Sequence, residues 1–146
     1  MKELGFIGNK EKNFRKYLEN HFGLVIHQSI ALFYQKGVRI GNREIIKSDI
    51  DGELGYAACD AGFNPTNSLI QNFGELAKKN FIQVNEEEGK QFASGKNLSV
   101  DLGIKTKYII VKYQQHIVGL GHYDASKKKI INKIPEKRRR EIINSI

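Results

Sequence analysis

Eight of the fourteen residues from Lys127 to Arg140 are lysine or arginine, and Glu136 is the one acid among them. The eight are Lys127, Lys128, Lys129, Lys133, Lys137, Arg138, Arg139 and Arg140. Arginine presents forked donors that match phosphate oxygens, while lysine acts as a movable point charge. Like charges packed this densely repel one another unless an anion offsets them, and nucleic acid is the first candidate. The basicity is local: residues 1–78 carry a net charge of +1 and residues 79–146 the remaining +7 of the chain's +8. Neighbours on a helix are about 100° apart, so three consecutive arginines cannot share one face. At most two of them should meet the same strand, with one turned to solvent.

Other reactive residues are sparse. His21, His27, His116 and His122 have no metal-ligand spacing, so structural roles are expected for them. A single cysteine, Cys59, excludes an internal disulfide and a cysteine metal cluster. No phosphate loop of the G-x-x-x-x-G-K type is present, and "GLG" alone is weak evidence for a dinucleotide site. Cys59 and Asp60, in a stretch rich in small residues, define the rival reading, a small enzyme. That reading needs a thiol of low pKa and a nearby base, and a buried structural cysteine is the default. The expectation is therefore no catalytic residue, no metal and no cofactor. Tyr113, His122 and Tyr123 lie near the basic elements and suit base stacking, but partly buried sheet positions are favoured for them.

The elements that must carry these residues are those of an ordinary globular protein. The chain has 146 residues, of which 40% are hydrophobic and 27% charged, enough for one large or two small domains. It shows no leader-like start and no apolar run near the ~18 residues of a membrane span. A soluble protein of the cytoplasm, without a membrane partner, is expected. Phe14, Tyr17, Leu18 and Phe22 fall at helical spacing, ended by Gly23. "SIALFYQKGVRIGNREIIKS" reads as short strands and "ELGYAACDAGF" as another. Around the first of these, Lys36, Arg39 and Arg43 are offset by Glu44, Asp49, Asp51 and Glu53, which points this half toward a protein partner.

A second helix is expected over "NPTNSLIQNFGELAKK", with Asn64 as N-cap and Pro65 in the first turn. Leu69, Phe73, Leu76 and Ala77 would share its inner face, and Lys78 and Lys79 would sit at its negative end. The best domain boundary follows it, giving 1–78 and 79–146. Beyond it come a short strand "FIQV", an acidic helix "EEEGKQFA" and a strand and turn in "KNLSVDLG". "KYIIVKYQQHIVGLGHYD" is a hairpin turning near Gln114 and Gln115. One more strand leads to a terminal helix from Pro135, with Ile142, Ile143 and Ile146 inward and a Glu136–Arg140 pair.

These residues carry a resemblance. "NPTNSLIQNFGELAKKNFIQVNEEEGKQFASGKNL" is similar to the junction of a pre-PUA domain with a PUA domain, the RNA-binding fold of pseudouridine synthases and archaeosine transglycosylases. "YIIVKYQQHIVGLGHYD" with "KIINKIPEKRR" resembles the PUA-like domain attached to Sun-family RNA cytosine methyltransferases. The order of elements resembles Nip-type ribosome-biogenesis proteins, which consist of a pre-PUA and a PUA domain. The resemblance implies an α+β protein: an N-terminal α/β pre-PUA-like domain, then a small β-barrel PUA-like domain with a C-terminal helix. It implies RNA as partner, ribosomal RNA first and transfer RNA second, bound without chemistry of its own. Lys96 and Asn97 would lie at the Ser94–Gly95 turn, where backbone amides approach a phosphate. Gly119 and Gly121 would offer either a side-chain-free strip to an RNA backbone or a bend in the barrel that requires glycine.

Overall fold

The computed structural model describes residues 9–27, 30–34, 37–42, 56–60 and 64–146. Lys36, Arg43, Glu44, Asp49, Asp51 and Glu53 lie outside the described residues. The first element is helix α1, Asn9–Phe22. Its four-residue spacing buries Phe14, Leu18 and Phe22 completely or nearly so. Gly23, at φ +62°, closes the helix with hydrogen bonds from its own N–H to Glu19 O and from Leu24 N–H to Leu18 O. Strands β1 (Ile30–Tyr34), β2 (Val38–Asn42) and β3 (Tyr56–Ala57) then form a three-stranded antiparallel sheet in that order.

Helix α2 spans Asn67–Phe73, and Thr66 rather than Asn64 is its N-cap, accepting from Leu69 N–H at 3.2 Å. Pro65 forms an antiparallel bridge with Cys59, and Thr66 N–H donates to Ala58 O, so the chain stays extended two residues longer than its sequence suggested. A 3₁₀ turn over Gly74–Leu76 follows, and Ala77 is extended. Lys78 and Lys79 therefore miss the end of α2. Their N–H groups both donate to Phe22 O, and the Asn80 side chain donates to His21 O, so this segment caps the exposed carbonyls of α1. Leu76, expected inside, is 47% exposed.

The rest of the chain builds a second sheet. Its strands are β4 (Phe81–Gln83), β5 (Leu98–Ser99), β6 (Lys107–Tyr113), β7 (His116–Asp124) and β8 (Lys129–Asn132). The order is β4-β6-β7-β8-β5, with β4 parallel to β6 and the other pairs antiparallel. Pairing stops at β4 and β5, so the sheet is a curled half-barrel. Helix α3, Glu86–Ala93, begins with a capping box in which Asn85 and Glu88 satisfy each other's backbone. Helix α4, Glu136–Ser145, begins one residue after the expected Pro135, which is its N-cap.

The half-barrel is buried on both faces. One face carries Ile110 and Leu120 into a core with Phe14, Leu18, Phe22, Leu69 and Ile70 from α1 and α2. The other carries Ile109, Val111, Tyr123 and Ile130 into a core with Phe92 of α3 and Ile142 of α4. The first core draws on residues from both sides of position 79.

Side-chain amides lock α2 to β7. Asn67 is 5% exposed, and its Oδ1 accepts from Leu120 N–H at 2.9 Å. Gln71 donates to Val118 O at 2.8 Å. Asn67→Ala would leave the Leu120 amide buried without this partner. A loss of about 1–3 kcal/mol is expected in urea unfolding, and a loss within ~0.5 kcal/mol would mean that another group takes over the amide.

Candidate nucleic-acid interface

The fold divides the basic segment among three places. Lys127, Lys128 and Lys129 form the tip between β7 and β8, all exposed. Asp124 shapes that tip by accepting from the N–H groups of Ser126 and Lys127 and from the Ser126 hydroxyl. Lys128, at φ +52°, places its ammonium 3.5 Å from Asp101. Both carboxyls sit below the usual range, Asp101 through the Gly103 N–H and then Lys128, and Asp124 through the Ser126 hydroxyl first. The tip lysines thus already have two carboxylates beside them.

At the other end of β8, Asn132 ties three segments together. Its side-chain amide donates to Phe92 O and Lys96 O, and its Oδ1 accepts from Ile134 N–H. Its own N–H donates to Asn97 Oδ1 at 2.8 Å. The Asn97 oxygen is therefore spent on β8. The amides expected to meet a phosphate are also engaged, Gly95 N–H with Phe92 O and Lys96 N–H with Gln91 O. The turn is a closed helix cap, and Lys96 offers it an exposed side chain.

Helix α4 sorts the three arginines. Arg139 lies on the stripe of Ile142, Ile143 and Ile146, at i, i+3, i+4 and i+7, and turns inward. Its Nε donates to Ile134 O at 3.3 Å. Its guanidinium covers Gly95 so closely that a Cβ there would fall 2.5 Å from Arg139 Cζ. Gly95 is at φ +104°, open to glycine and costly for other residues. Arg138 pairs with Glu141 at 3.5 Å, which replaces the expected Glu136–Arg140 pair. Lys137 and Arg140 are exposed. The outward cations of this helix are thus Lys137, Arg138 and Arg140, while Arg139 pins α4 to the end of α3.

Gly119 and Gly121 do not form an open strip. Both are buried, and a Cβ on Gly119 would meet Ile134 at 2.5 Å, while one on Gly121 would overlap Ile130 and approach Phe92 at 3.2 Å. Tyr123 is likewise core, 1% exposed, with its hydroxyl accepting from Leu102 N–H. Tyr113 stacks with His116 across the hairpin turn, with centroids 6.4 Å apart. Burial lowers the pKa of His122, the charge of Lys133 adds to this, and Asp124 opposes it.

Cys59 is 1% exposed, and Asp60 beside it is exposed with its carboxylate bonded to the Asn64 side chain. A thiol this enclosed does not meet the access that a nucleophile needs. Among the described residues no group of three or more His, Cys, Asp or Glu is placed to hold a metal ion. Among them also, no helix is long and apolar enough to cross a membrane.

His21 was expected to be structural, and its ring hydrogen-bonds Tyr108 O at 3.0 Å through Nε2, which must carry the proton. Burial holds its pKa below 6.5, against the opposing effect of that hydrogen bond. The folded state therefore binds fewer protons than the unfolded chain, and this share of stability is complete above pH ~6.5 and lost as pH falls below it. The melting temperature should drop on acidification from pH ~7 to ~5, and His21→Gln should flatten that drop. An unchanged slope in the variant would remove His21 from the account.

Residues 79–140 match the family model described as the methyltransferase RsmF PUA domain. The segment from β4 through the first half of α4 is thus PUA-like, in agreement with the sequence resemblance to the Sun-family appendage. Comparison with curated proteins gives no match. A PUA-like domain points to RNA binding.

Proposed function

We propose that the protein binds structured RNA through the outer surface of α4 and the neighbouring cations, without chemistry of its own. The observation that carries this reading is the coincidence of the PUA-like segment, 79–140, with the basic segment, 127–140. Lys137, Arg138 and Arg140 supply the central contacts, with Lys96 and Lys133 at the edges and the Lys127–Lys129 tip further along. Arg139 and Asn97 serve the site by holding α4, α3 and β8 in place. Residues 1–78 act as a pre-PUA-like unit that supports the half-barrel and meets a protein partner. Ribosomal RNA, in ribosome biogenesis, is the favoured target.

A second reading has its own support. The matched family model is named for a methyltransferase, which favours an adaptor that presents RNA, transfer RNA included, to a separate modification enzyme. The test is an RNA titration at several salt concentrations with ribosomal and transfer RNA fragments, comparing wild type with Lys137→Ala/Arg138→Ala/Arg140→Ala. Affinity that falls steeply with salt, and less steeply in the folded variant, supports the reading. Equal slopes would overturn it, and the preferred RNA separates its two forms.

A further inference from the structure

Tyr108 of β6 and His122 of β7 lie opposite each other in register, their ring centroids 4.6 Å apart at 62°. Both rings are partly exposed. They sit on the sheet face that α1 and α2 cover, where Tyr108 packs against the first core. Two sets of contacts hold Tyr108. The Tyr108 hydroxyl donates to Asn64 Oδ1 at 3.2 Å, and Asn64 in turn donates to the Asp60 carboxylate. The Tyr108 carbonyl accepts from His21. Lys133, exposed, is anchored by its N–H to Leu120 O, two residues beyond Ile131, the register partner of His122.

The charges give this patch a polarity. The charged groups acting on it are Lys133 and Asp124 around His122, Asp60 near Tyr108, and Lys107 and Lys79 near His21. A phosphate would be drawn to the Lys133 side and repelled from the Asp60 side. An aromatic pair fixed on a sheet, with a cation at one end, suits one unstacked nucleotide. We propose that an unpaired RNA base stacks on His122, which Tyr108 holds by an edge contact, with its phosphate on Lys133 and its base edge toward Asp60. This second contact rests on the RNA-binding reading and would let the protein select single-stranded or bulged RNA over a plain duplex.

The test titrates a short unpaired RNA oligonucleotide and a blunt RNA duplex against wild type, His122→Ala, His122→Phe and Lys133→Gln. His122→Ala should weaken the unpaired probe by about fivefold or more and leave the duplex within about twofold. His122→Phe, which keeps a ring, should restore the unpaired probe. Lys133→Gln changes an exposed side chain and should lower the salt slope on the unpaired probe by about 0.7. Unchanged affinity for the unpaired probe in His122→Ala, with salt-sensitive binding by wild type, overturns this site and leaves the α4 surface standing. Equal losses on both probes also overturn it. No binding by wild type removes both readings.

Discussion

Gly121→Ala should lower the melting temperature by about 3–10 °C, corresponding to about 1–3 kcal/mol of overpacking. The added methyl overlaps Ile130 Cγ2, the branch atom of a residue that is itself fully buried. β-Branched side chains have little χ1 freedom, and Phe92 and Ile131 O stand at 3.2 and 3.5 Å on the other sides. The strand must therefore shift, and Gly121 pairs with Asn132, the residue that ties α3 to β8. Below its melting temperature the variant should bind RNA as wild type does, because this glycine faces the core. A stable variant with reduced RNA affinity would restore the idea of an open glycine strip along β7.

Arg138→Glu/Arg140→Glu should weaken RNA binding by at least tenfold in low salt. Each phosphate contact contributes a slope of about 0.7–0.9 in log affinity against log salt, so losing two lowers the slope by about 1.4–1.8. The reversal also repels the remaining phosphates, which adds to the loss at low ionic strength. Stability should change little, since Arg140 is exposed and the Arg138–Glu141 pair lies at the surface, with Arg138 side-chain exposure of 43%. Arg139→Ala should do the opposite. It removes the hydrogen bond to Ile134 O and the cover over Gly95, costing about 1 kcal/mol, while the salt slope of the folded protein stays the same. If Arg139→Ala flattened the slope and the double reversal did not, Arg139 would belong to the interface and the surface assigned to α4 would be wrong.

The arginine sorting was partly legible in the chain. The spacing Arg139, Ile142, Ile143, Ile146 is that of one helical face, so Arg139 could have been placed inward from the sequence. Its target could not, because Gly95 is 44 residues away and only the docking of α4 on α3 brings them together. Asn132 carried no such signal. An asparagine between Ile131 and Lys133 has no pattern, and its hydrogen bonds to Phe92, Lys96 and Asn97 exist only after β5 pairs with β8. The start of α2 was misplaced for a related reason: the Cys59–Pro65 bridge outweighed the local preference for Asn-Pro at a helix start.

The sequence by itself determined the elements whose cause is local. The periodicity of α1 and α4, the Asn85–Glu88 capping box, the hairpin at Gln114 and the concentration of charge in 127–140 all follow from neighbours within a few turns. It also carried the PUA-like pattern that residues 79–140 match. The tertiary structure alone decided which of those charges remain outward. It used Arg139 as a pin, set Asp101 and Asp124 beside the tip lysines, and turned Gly119 and Gly121 into the core. It also placed Asn64, His21 and Lys133 around Tyr108 and His122. Charge and periodicity are properties of a segment, whereas burial and pairing depend on what the rest of the chain brings to the same place.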